Sequence, residues 1–152
     1  MKKTLLLDID YTIMNGETPR PFLKEFIEKV KEKYNIVFYT AAMPIRVTEV
    51  LRIFHHKFGM DRDFVRDLQF DALHRQNCPM IEYFHKGDRS TSIEIKCFKK
   101  ASEILDVPVE DMIMLDDNPT HGHPNASQII QAEGFWNLEN DDYLVRVLDQ
   151  LL

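Results

Sequence analysis

The amino-acid sequence predicts an α/β protein: a three-layer α/β/α sandwich around a mostly parallel sheet. Two observations point there. Short apolar runs of strand length alternate with segments whose apolar residues recur at helical spacing, as in sheets whose parallel strands are joined by helical crossovers. In addition, three of those runs stop abruptly on polar side chains. Leu5-Leu6-Leu7 ends on Asp8-Ile9-Asp10-Tyr11-Thr12, Ile36-Val37-Phe38-Tyr39 on Thr40, and Met112-Ile113-Met114-Leu115 on Asp116-Asp117. The carboxyl ends of parallel strands share one edge of an open sheet, where ligands bind, so these endings are expected to converge.

Taken in order, Thr4 to Leu7 is the first strand and Asn15 to Arg20, with Gly16 and Pro19, a polar loop. Pro21 suits a first helical turn, and Phe22, Phe26, Ile27 and Val30 follow at helical spacing to near Tyr34. Ile36 to Tyr39 is the second strand. Pro44 opens a second helix with Val47, Val50, Leu51 and Phe54 on its apolar face, closed by Gly59. Asp61 to Thr91 is the least regular stretch, with a hairpin expected from about Ile81 to Ile95, turning at Gly87-Asp88. Phe98, Ala101, Ile104 and Leu105 mark a third helix ending before Pro108, and Met112 to Leu115 is the next strand. Ser127 to Gln131 reads as a late strand, and Tyr143, Val145, Val147, Leu148 and Leu151 as a C-terminal helix.

Residues 1–152 are read as a single domain, long enough for a substantial core. A chain 44% hydrophobic and 29% charged is an ordinary globular one, and its net charge of −6 argues against general nucleic-acid binding and against an anionic membrane surface. The stretch from Phe84 to Lys100 is a local exception, with Lys86, Arg89, Lys96, Lys99 and Lys100 against Asp88 and Glu94. Cys78 and Cys97 lack metal-ligand or redox spacing, no apolar run approaches membrane-spanning length, and Met1-Lys2-Lys3 leads into no signal peptide. Together these predict a cytoplasmic protein.

The strand-end residues carry the chemistry. Two carboxylates at i and i+2 past a strand end project into the ligand crevice, where one attacks or holds a metal while the other moves a proton. Several like charges gathered at one edge need a cation, and hard carboxylate oxygens suit Mg²⁺. Other features have plainer readings. His121-x-His123 is expected in an exposed loop, His55-His56 at the wet end of a helix, Phe135-Trp136 in the core, and Arg75 on the surface.

Asp8-x-Asp10-x-Thr12, Thr40, a downstream lysine and Asp116-Asp117 resemble the four motifs of the haloacid dehalogenase superfamily. Arg20-Pro21-Phe22-Leu23, Thr40-Ala41-Ala42, Leu115-Asp116-Asp117-Asn118-Pro119 and Asp141-Asp142-Tyr143-Leu144 are similar to a capless branch of it. That branch comprises the phosphatases of the RNA polymerase II C-terminal domain and their small, NLI-interacting-factor-like relatives. The first motif departs from the branch at Tyr11-Thr12-Ile13-Met14, and Phe64 to Ile95 matches poorly, which bears on substrate more than on chemistry.

The resemblance implies a Rossmann-like sheet without a cap domain, apart from a small hairpin flap. It implies catalytic Asp8 as the nucleophile forming a phosphoaspartate, Asp10 as general acid and base, and Lys96, or next Lys100, as the charge-neutralising lysine. Asp8, Asp117 and the Asp10 backbone carbonyl would hold Mg²⁺, with Asp116 as support or as the lysine's partner. Thr40, with Ala41 and neighbouring N–H groups, would bind the phosphoryl oxygens; Thr12 joins this set mainly by shaping the first loop. One helix and one strand fill the span from Thr12 to Thr40, leaving no room there for a cap, and an open site suits a protruding phosphorylated chain. The implied activity is a Mg²⁺-dependent phosphomonoesterase acting on phosphoserine or phosphothreonine in proteins. Two alternatives are a phosphatase for small metabolites or nucleic-acid 3′ ends and a catalytically idle binding module.

Overall fold

The computed structural model describes residues 2–85, 89–118 and 123–152. Among the described residues, antiparallel pairing is confined to two separate two-stranded sheets, apart from the main one. Its four main strands, β1 (Lys3–Leu7), β4 (Tyr34–Phe38), β7 (Met112–Asp116) and β8 (Ile129–Gln131), are parallel in the order β4-β1-β7-β8. Between β1 and β4 lie the two-residue strands β2 (Met14–Asn15) and β3 (Thr18–Pro19), paired antiparallel, and helix α1 (Leu23–Lys33). After β4 come α2 (Pro44–Arg52), continued by a π-helical turn over Ile53–Lys57, and α3 (Arg62–Asp71). The expected hairpin is present as β5 (Met80–His85) and β6 (Arg89–Glu94); the turn predicted at Gly87-Asp88 lies outside the described residues. Helix α4 (Phe98–Leu105) precedes β7, and α5 (Tyr143–Leu151) ends the chain.

Alternation along the buried strands splits the core between two faces of the sheet. Leu5, Leu7, Phe38 and Leu115 face one side, where they meet Phe26, Ile27 and Val30 of α1, Val47 and Val50 of α2, Leu68 of α3 and Leu144, Val147 and Leu151 of α5. Leu6, Val37, Met112 and Met114 face the other, against Phe98 and Ala101 of α4 and Leu73 and Cys78. The layered α/β architecture is therefore as the sequence predicts.

Some local expectations differ. Helix α1 starts at Leu23, not Pro21, because Phe22 adopts a left-handed conformation (φ 69°) and is exposed, while the preceding Arg20 turns into the interior. Gly59, at φ 64°, ends the α2 segment as expected. Helix α3 falls in the stretch read as irregular. In α5 the buried stripe includes Leu144 and leaves Val145 exposed. Among the described residues, no helix is long and apolar enough to cross a membrane.

Candidate active site

Strand β1 lies between β4 and β7, with Leu7 opposite Phe38 on one side and Leu115 on the other. The pairing runs one residue further: the Asp8 N–H donates to the Leu115 carbonyl at 3.0 Å and the Tyr39 N–H to the Leu7 carbonyl at 3.0 Å. Asp8, Thr40 and Asp116 thus leave the sheet together at one carboxyl edge.

There the Lys96 ammonium donates to Asp8 Oδ1 at 2.5 Å and to Asp116 Oδ2 at 2.6 Å. All three side chains are buried. The Thr12 hydroxyl, also buried, donates to Asp8 Oδ2 at 2.7 Å and accepts from the Asp117 N–H at 3.0 Å, which ties the loop after β1 to the loop after β7. Asp116 Oδ1 accepts from the Asn118 N–H at 3.0 Å. One ligand oxygen from each of Asp8, Asp116 and Asp117 lies within 4.8 Å of the others.

The charges do not balance. Burial pushes Asp8 up from the ordinary carboxylate range, and the Lys96 charge offsets only part of this. Asp116 is pushed up to about 6, again by burial, with the Asp8 charge adding and Lys96 opposing. Burial pulls on Lys96 in the opposite sense, yet Asp8 and Asp116 together hold it above its usual value. Among the described residues, one ammonium therefore faces three carboxylates at a largely buried site. Three oxygen donors with a deficit of positive charge form a site that fits a hard divalent cation.

Other predicted residues take distinct positions around this cluster. Thr40 is buried; its N–H donates to the Leu73 carbonyl and its hydroxyl accepts from the Ala42 N–H, both at 3.0 Å, which shapes the turn carrying exposed Ala41. The Asp10 carboxylate is partly exposed and turned toward Arg46. Lys100 is exposed on α4, and it is Lys96 that reaches the carboxylates. The Arg75 N–H donates to the Ala42 carbonyl at 3.0 Å. Phe135 is in the core as expected, but Trp136 is 64% exposed, its ring 4.9 Å from that of Tyr11. Trp136 folds back over Gly134, where a side chain would collide with its indole.

Three supports escaped the sequence reading. Arg20, 2% exposed, forms a two-pronged ion pair with Asp141 (2.9 Å on each prong), donates to the carbonyls of Thr12 (3.0 Å) and Glu133 (2.7 Å), and lies over the Tyr143 ring. It joins two segments noted only as resemblances. His123 Nδ1 accepts from the Asn125 N–H at 2.9 Å, which leaves Nε2 to donate to the Lys96 carbonyl at 2.8 Å; His121 lies outside the described residues. Arg46, the third, carried one signal: a cation in the first turn of a helix opposes the helix dipole and so needs a partner elsewhere.

Residues 3–152 match the family described as NLI interacting factor-like phosphatase. A 60-residue stretch is 37% identical to the Ubiquitin-like domain-containing CTD phosphatase 1 of Drosophila melanogaster, covering 34% of this chain and 19% of that protein. With a family match over nearly its whole length and an acidic cluster at the carboxyl edge of its parallel sheet, the chain belongs to the NLI interacting factor-like phosphatases.

Proposed function

We propose that the protein is a Mg²⁺-dependent phosphomonoesterase that works through an aspartyl phosphate on Asp8 and acts on phosphoserine or phosphothreonine in a protein chain. The observation that carries this reading is the convergence of Asp8, Lys96, Asp116 and Asp117 at one sheet edge. An Asp8 oxygen attacks phosphorus in line as the bond to the leaving oxygen breaks, and Asp10 gives that oxygen a proton. Asp10, now a carboxylate, takes a proton from water as the water attacks the aspartyl phosphate, releasing phosphate and restoring Asp8. Lys96 offsets charge on Asp8 and on the phosphoryl oxygens, and Thr40 with the following N–H groups orients those oxygens. Asp8, Asp117 and the Asp10 carbonyl would hold Mg²⁺, which when bound supplies the positive charge that the carboxylates and the transferring phosphoryl group require. A phosphoprotein substrate is supported by the printed name of the relative, a CTD phosphatase, and by the short span between Thr12 and Thr40, filled by β2, β3, α1 and β4.

The test is trapping. Asp8→Asn, nearly isosteric but not nucleophilic, is expected to lose turnover while keeping its fold. Asp10→Asn given p-nitrophenyl phosphate, whose leaving group departs with little protonation, is expected to accumulate a phosphoryl adduct on Asp8. Mass spectrometry of quenched samples reads both. Persistent turnover with no adduct would move the mechanism to direct attack by water. A panel of phosphopeptides and small phosphate esters then reads the substrate class, and preference for the small esters would overturn the protein substrate.

A further inference from the structure

We propose that Arg46 is a positioning residue for Asp10, and that it holds the Asp10 carboxylate in the orientation needed to pass protons in both halves of the reaction. The proposal rests on the reading of Asp10 given above. Asp10 follows the strand end on a loop and its side chain is 41% exposed. Such a carboxylate has freedom about both side-chain torsions, and a misplacement of about 1 Å in a proton donor costs on the order of 100-fold in rate. Arg46 removes that freedom. Its Nε and Nη2 both lie 2.9 Å from Asp10 Oδ1.

The guanidinium is itself fixed. Nη2 donates to the Gly16 carbonyl at 2.7 Å, Nη1 donates to Glu49 Oε2 at 3.1 Å, and the side chain is only 14% exposed. Gly16 sits in the turn between β2 and β3 at φ 58°, and a Cβ there would meet nothing within 4 Å, so what the glycine supplies is backbone shape. Arg46 thereby links the first turn of α2 to two points of the loop after β1. Its donors are directed at protein acceptors, which distinguishes it from a cation left free to bind phosphate. Lysine, a single point donor on a flexible stem, cannot reproduce the planar fork.

The experiment compares kcat/KM, which reports phosphoryl transfer to Asp8, for an alkyl phosphate and for p-nitrophenyl phosphate in Arg46→Gln, Arg46→Lys, Asp10→Asn and the Arg46→Gln/Asp10→Asn double variant. Arg46→Gln is expected to lose roughly 10- to 100-fold with the alkyl ester and far less with p-nitrophenyl phosphate, since only the former needs a placed proton. Arg46→Lys is expected to recover part of the loss. The double variant is expected to be no worse than Asp10→Asn, because a residue acting through Asp10 has nothing left to position. Unchanged kinetics, equal losses on both esters, or losses that multiply in the double variant would each overturn the proposal. If Arg46→Gln does not fold, Arg46→Lys, alone and combined with Asp10→Asn, carries the same comparison. If Asp10→Asn itself does not discriminate between the esters, the reading of Asp10 fails first, and that variant alone reveals it.

Discussion

Asp116 and Asp117 are neighbours in sequence with different surroundings. Both Asp116 oxygens are engaged, one by Lys96 and one by the Asn118 N–H, and the side chain is buried. Asp117 is only half-buried, and its Oδ1 has a longer contact of 3.3 Å with the Thr12 hydroxyl. Asp117 therefore keeps more lone-pair capacity for a cation. Asp117→Ala is expected to raise the Mg²⁺ concentration needed for half-maximal activity more than Asp116→Ala; the reverse order in a Mg²⁺ titration would exchange the two roles. Arg20 gives a stability prediction. Removing one partner of a buried ion pair strands the other charge, so Arg20→Ala is expected to cost about 3–5 kcal/mol in denaturant unfolding, with Asp141 left unpaired. A loss below about 1 kcal/mol, the range of an exposed pair, would contradict its buried, two-pronged geometry.

Helix α3 was not legible in the sequence. Its residues, Arg62-Asp63-Phe64-Val65-Arg66-Asp67-Leu68-Gln69-Phe70-Asp71, are half charged, Leu68 is the one fully buried, and Phe70 is 88% exposed, so the apolar stripe is too thin to stand out. The helix still has a start signal, Asp61, whose carboxylate accepts from the Phe64 N–H at 3.1 Å. Leu68→Ala is expected to cost about 2–5 kcal/mol because it opens a cavity under β4; a negligible change in unfolding would mean that α3 contributes little to the core. By contrast β1, β4 and β7 were legible, because each is a run of apolar residues long enough for a strand and each ends on a side chain that strands do not bury without reason. The convergence of their ends followed from parallel topology alone. The Arg20–Asp141 and Arg46–Asp10 pairs were not legible, since each joins segments brought together only by the finished fold. Trp136 was misplaced because its neighbour Phe135 is buried, and composition does not tell which of two adjacent rings turns outward.

Across the whole molecule, the electrostatic imbalance at the sheet edge would couple metal binding to stability and pH. Asp116, ordinarily at 3.8, stands at about 6 in the fold through burial, and Asp8 is raised in the same direction. A carboxyl group whose pKa is raised by folding holds its proton longer in the native state. Its contribution is fully present below the unfolded value and is lost as pH rises through the folded one. Metal-free protein is therefore expected to lose the stability that Asp116 contributes as pH rises from about 4 through about 6, with Asp8 acting in the same direction. A divalent cation held there would bind the ionised carboxylates, so its binding would release the protons that folding retained. The gain in Tm from a fixed, saturating Mg²⁺ concentration is then expected to be small at pH 5 and larger at pH 8, with activity abolished by chelator and restored by Mg²⁺. Thermal unfolding with and without Mg²⁺ across that range measures it directly. A Mg²⁺-induced gain that shrinks as pH rises would mean that the carboxylates at the sheet edge are already balanced within the protein. Those carboxylates would then not call for a metal, and the metal-dependent chemistry would fall with them.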